Sequence, residues 1–190
     1  YSISYKIPAI LSMIQGIFNN AWSISAITEF DSEDSDGFIG NVYGTYAGLS
    51  ILGCSIIMMF NIPIARVLYA KEFFQAWQYV PFLLVGTMFN GMALFLGCLF
   101  TAAKKTKEVS KSTIIGALVN TIGNVIFIYL WGAQGAAVAT LAGYLVTWMM
   151  RLVLLRNIVY MKLNWKNHLI SCGLMIMQAC FALNSNWTIQ

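Results

Sequence analysis

The chain has 190 residues, of which 59% are hydrophobic and 9% charged, and its mean hydropathy is +0.71. An ordinary soluble domain carries roughly 25% charged residues, so this composition cannot cover a water-facing surface. The net charge of +4 does not point to nucleic acid, because the lysines and arginines sit in short stretches between apolar runs and not along one solvated face.

Apolar runs of about 20 residues recur along the chain, the length a helix needs to cross a hydrocarbon core of ~30 Å. They are continuous rather than alternating, and a backbone in lipid must satisfy its own hydrogen bonds. The expectation is an all-α membrane protein of about six transmembrane helices: 7–27, 42–62, 79–101, 112–130, 135–155, and a sixth starting within 167–190. The sixth is the weakest, since its apolar core from His168 to Leu183 is short and holds Gln178, although extension through Trp187 reaches spanning length.

The first span carries Ser12, Gln15, Asn19, Trp22 and Ser23 at helical spacing, with Asn20 beside them, so one face is polar. Such a face must avoid lipid. It either lines a hydrophilic cavity or forms interhelical hydrogen bonds, worth only ~0.6 kcal/mol each. Lys6, at the outer edge of that span, either pairs with a pyrophosphate or snorkels as a helix-end anchor. Pro8 falls in the first turn, where its missing donor costs nothing, and Pro63 and Pro81 mark later span ends. After the second span, residues 63–78 mix apolar with charged side chains and suggest a short helix in the interface.

The third span contributes Gly86, Asn90 and Gly97, and the fourth Thr113, Gly116, Asn120 and Asn124, for which the same two readings stand. In the fifth, Gly135, Ala139 and Gly143 follow small-xxx-small spacing, which predicts close helix packing. Tryptophans 77, 131, 165 and 187 fall near span ends, where an amphipathic ring sits at headgroup level.

Loops rich in Lys and Arg face the cytoplasm. Lys104, Lys105, Lys107, Lys111, Arg151, Arg156, Lys162 and Lys166 fall on one side, against Lys6, Arg66 and Lys71 on the other. Loops 28–41, 102–111 and 156–167 are therefore expected in the cytoplasm, including the acidic run Glu29, Asp31, Glu33, Asp34 and Asp36.

No metal or cofactor is expected. Cys54, Cys98, Cys172 and Cys180 lie within apolar runs without CxxC spacing, and read as packed thiols. His168 reads as a solvated interfacial histidine, and the sequon at 186–188 is a frequent chance pattern. No carboxylate falls in mid-span, where transporters usually keep proton or sodium carriers. No catalytic residue is assigned. The chain begins with Tyr1 and shows no signal-peptide pattern, and reads as a piece of a longer protein.

Five elements occur in order: Tyr5-Lys6-Ile7-Pro8, Asn19-Asn20-Ala21-Trp22, the Lys104-Lys105-Thr106 loop, Asn120 with Asn124, and the stretch from Gly132 to Thr140. Together they resemble the Wzx-type O-antigen and polysaccharide flippases of the MOP transporter superfamily. The resemblance covers residues 1–166, and the Gly-x-x-Gly-Ala-Ala-x-Ala-Thr stretch is its most specific part. It implies most of the second lobe of a two-lobed transporter, here 1–166, with the first span as helix eight. Residues 167–190 would start an additional helix.

The implied substrate is a polyprenyl-pyrophosphate-linked oligosaccharide, flipped from the cytoplasmic to the periplasmic leaflet of a bacterial inner membrane by alternating access. Membrane lipids are implied as further partners, with polysaccharide-assembly proteins as potential contacts. Amides supply donors and acceptors to sugar hydroxyls without the desolvation cost of a buried charge. Lys6, Gln15, Asn19, Asn20, Asn90, Asn120 and Asn124 are the candidate substrate-binding residues. Two rivals remain: a multidrug antiporter of the same superfamily, expected to hold membrane-buried carboxylates, and a membrane-embedded polysaccharide-assembly enzyme such as an oligosaccharide polymerase, expected to gather acid, base or nucleophile groups. A non-catalytic subunit that uses its polar faces only for assembly is a third.

Overall fold

The computed structural model describes residues 2–161 and 165–184, and these form helices without a strand. Lys162, Trp187 and the sequon at 186–188 lie outside the described residues. The elements are α1 (Lys6–Thr28), α2 (Phe38–Met59), α3 (Asn61–Leu68), a 3-10 segment (Lys71–Tyr79), α4 (Val80–Ala102), α5 (Thr106–Trp131), α6 (Ala133–Leu155) and α7 (Trp165–Asn184). Helices occupy all six of the expected stretches, as α1, α2, α4, α5, α6 and α7. The segment after the second span differs, being two short pieces: α3 and the 3-10 turns meet where the Asn61 amide donates to the Trp77 carbonyl at 3.0 Å.

Four of these helices are long and apolar enough to cross a membrane: α2, α4 with part of the preceding 3-10 segment, α5 and α6. Six were expected. α1 falls short of that apolarity, as the amides of Gln15, Asn19 and Asn20 would have it, and α7 carries Lys166, Asn167, His168 and Gln178.

Pairwise contacts fix the helix directions. Gln15 bonds Ser50 and Asn19 bonds Tyr46, so α1 and α2 are antiparallel. Gln15 reaches the Met88 carbonyl and Trp22 the Phe95 carbonyl, so α1 and α4 run the same way. Tyr43 meets His168 and Ser55 meets Gln178, so α2 and α7 are parallel. The connections 29–37 and 156–161 therefore share one end of the bundle, where the Tyr160 N–H donates to the Ser32 carbonyl at 3.0 Å. That grouping agrees with the expectation that loops 28–41 and 156–167 lie on one side. At this end the Asp34 carboxylate accepts the Ile39 and Gly40 N–H groups at 2.9 and 3.0 Å, capping the start of α2.

α4 is the central helix. It contacts α1, α2, α6 and α7, and 67% of its apolar window is buried against 6% for α5. Around it an aromatic core interlocks: Trp22 stacks on Phe95 at 4.3 Å, Tyr43 meets Phe95 edge-on at 5.3 Å, and Phe89 lies 5.0 Å from Trp148. Outside, Ile14, Ile17, Leu49, Leu52, Leu118, Ile122, Val125 and Leu174 are exposed, a belt suited to lipid and not to water.

His168 departs from the expected solvated position. It is only 8% exposed, because α7 turns that face inward against Tyr43 and Trp148.

The small-residue spacing of α6 does what packing requires. A Cβ on Gly135 would run into the Phe127 backbone, and one on Gly143 would stand 2.8 Å from the Asn120 Cβ and 2.9 Å from the Gly116 carbonyl oxygen. α5 and α6 thus approach nearly backbone to backbone, the arrangement by which helices associate where no hydrophobic driving force separates them from lipid.

Candidate functional site

The close α5–α6 approach opens toward α4 into a polar cleft of about 460 Å³. Asn90 from α4, Thr113, Asn120 and Thr121 from α5, and Thr140, Tyr144, Thr147 and Arg151 from α6 line it, with Tyr5 ahead of α1. Gly116 and Gly143 also line it, at the place where α5 and α6 touch and a side chain at either position would collide with the opposite helix.

The candidate amides separate into two groups. Asn90 and Asn120 line the cleft. Asn124 is one turn from Asn120 and donates to its side-chain oxygen at 2.8 Å and to its carbonyl at 2.9 Å, which holds the Asn120 amide in place. Gln15 and Asn19 instead serve the α1–α2–α4 interface. Gln15 is buried and donates to Ser50 Oγ at 3.2 Å and to the Met88 carbonyl at 3.5 Å, with its side chain in the space that Gly91 leaves open. Asn19 donates to the Tyr46 hydroxyl at 3.1 Å, and its buried oxygen has no hydrogen-bond partner among the described residues. Asn20 and Lys6 are exposed and do not line the cleft. Helical spacing put each stripe on one face; what stands opposite decides whether that face binds a helix or borders a void.

Arg151 was counted among the loop charges. It lies inside α6 and is 5% exposed. The nearer end of α6 does not draw it outward: its Nη1 donates to the carbonyl of Ala93, about 13 Å before α4 ends. Nε donates to Ser112 Oγ and Nη2 to Thr113 Oγ1, each at 3.0 Å. Both hydroxyls donate in turn to the Val109 carbonyl, at 2.8 and 2.9 Å, so their lone pairs are left for the guanidinium. All three partners are neutral. A sequence signal existed for this arginine, because Thr140, Tyr144, Thr147 and Arg151 recur at three- and four-residue spacing on one face of the fifth span.

Among the described residues no group of His, Cys, Asp or Glu is arranged to hold a metal ion. No protein-family model, curated protein or solved structure matched the chain.

Proposed function

We propose that this chain is most of one lobe of a membrane transporter that flips polyprenyl-pyrophosphate-linked oligosaccharides between leaflets. The carrying observation is the cleft among α4, α5 and α6, where amides and hydroxyls line an open groove on an otherwise apolar helical surface. Sugar hydroxyls need donors and acceptors together, and Asn90, Asn120, Thr121 and Thr140 offer both. α1 and α7 cross with their neighbours in this reading, since α1 keeps pace with α4 from Gln15 to Trp22 and α7 with α2 from His168 to Gln178. The basic corner at Lys104 and Lys105 then faces the cytoplasm of a bacterial cell.

A cationic drug fits the cleft poorly, because its one charged lining group, Arg151, is itself cationic. The test is a photoreactive lipid-linked oligosaccharide added to membranes, with cysteines at 90 or 120 as capture points. Crosslinks there, competed by unlabelled substrate, support the reading; crosslinks only at lipid-facing positions such as 122 and 125 count against it.

A further inference from the structure

The geometry points to Arg151 as the anchor for the pyrophosphate of a membrane amphiphile, held inside the α4–α5–α6 cleft. The inference rests on the transport reading for the identity of the amphiphile, but the anion site stands on its own geometry. A guanidinium cannot shed its charge in a protein, so a nine-tenths buried arginine needs compensation. The described residues supply it with three neutral acceptors and no carboxylate. Three of its five N–H donors are used by the described residues, which leaves two for a ligand, and Arg151 borders the cleft.

The neighbours hold the guanidinium still. Ser112 and Thr113 are locked as acceptors by the Val109 carbonyl, and a Cβ on Gly97 would come within 2.9 Å of Nη1. A fixed planar fork suits two oxygens of a phosphoryl group, with charge-assisted bonds roughly twice as strong as neutral ones. Depth separates this from lipid anchoring. A snorkelling arginine turns toward the interface, whereas this one reaches inward to Ala93, toward the amides that would meet the sugars. Lys6, the other cation considered for this role, is exposed and does not line the cleft.

The decisive variant is Thr113→Asp. Thr113 is exposed and its hydroxyl already lies 3.0 Å from Arg151 Nη2, so the new carboxylate takes the place of a ligand anion without disturbing the core. Binding to the purified full-length protein in neutral detergent is measured for farnesyl pyrophosphate, inorganic pyrophosphate, farnesol and phosphatidylglycerol. The wild type should bind farnesyl pyrophosphate at least 10-fold more tightly than farnesol, with inorganic pyrophosphate competing. T113D and R151Q should each lose that preference by 10-fold or more while farnesol binding stays level. Equal affinity for the pyrophosphate and the alcohol in wild type, or an unchanged preference in folded T113D, overturns the proposal even if R151Q does not fold. Phosphatidylglycerol competing as well as farnesyl pyrophosphate also overturns it, by assigning the site to bulk anionic lipid. Arg151-dependent pyrophosphate binding in a protein that moves no lipid-linked sugar would leave the anion site and remove the transport reading. Flipping with Arg151-independent binding would do the reverse.

Discussion

The indole N–H of Trp148 donates to the Tyr43 hydroxyl at 2.9 Å in the interior of the bundle, joining α6 to α2. The same hydroxyl lies 3.3 Å from His168 Nε2, so one oxygen also reaches α7. Tyr43→Phe keeps the ring and removes that oxygen, leaving a buried indole donor without its acceptor. Such an orphan costs about 1–3 kcal/mol. Thermal unfolding in detergent should show a lower midpoint for Y43F, with substrate binding retained because Tyr43 does not line the cleft. An unchanged midpoint would mean the hydroxyl is replaceable.

Glycine substitutions should divide by location. Gly143→Val and Gly116→Val place carbon where the opposite backbone lies, and should sharply reduce folded protein. Gly48→Ala meets nothing within 4 Å and sits in helix α2, so it should be neutral or add up to about 1 kcal/mol through helix propensity. Size-exclusion profiles of a fluorescent fusion read both outcomes; a normal profile for G143V would refute the backbone-to-backbone packing.

Helix positions, proline boundaries and the close α5–α6 contact were legible because each depends on local spacing or on one residue's size. The fate of the amides was not. Gln15 and Asn120 sit in equally suggestive stripes, yet Gln15 meets Ser50 and Met88 while Asn120 borders the cleft. That difference lives in the partner helices. Arg151 was hidden by its distance of one turn from the end of α6, where a charge ordinarily signals a loop, and the acceptors that draw it inward come from α4 and α5. His168 was hidden in the same way, since its burial is made by α2 and α6.

The two amide groups predict opposite phenotypes. Gln15→Ala and Asn19→Ala remove interhelical bonds and should lower the yield of folded protein, each by an effect of order 1 kcal/mol. Asn90→Ala and Asn120→Ala should accumulate normally. In a background with Cys54, Cys98, Cys172 and Cys180 replaced, a cysteine at 120 should react with a membrane-impermeant thiol reagent and one at 15 should not. Labelling at 15 with protection at 120 would exchange the two assignments.

Topology is checked by reporter fusions ending after Lys105, Trp131 and Asn157. The first and third should report the same side and the second the opposite one, as the helix directions require, and the basic residues make the shared side the cytoplasmic one. Fusions after Lys105 and Asn157 on opposite sides would contradict the helix directions.

The most direct test is flipping itself. Liposomes containing the full-length protein and a fluorescent polyprenyl-pyrophosphate oligosaccharide are quenched from outside over time, for wild type and for the Asn90→Ala, Asn120→Ala double variant. The account predicts movement between leaflets by the wild type with the lipid-linked sugar chemically unchanged, and a rate lowered about 10-fold or more in a double variant that folds normally. Movement at the wild-type rate in the folded double variant would contradict it, as would a wild-type protein that leaves the sugar in its original leaflet.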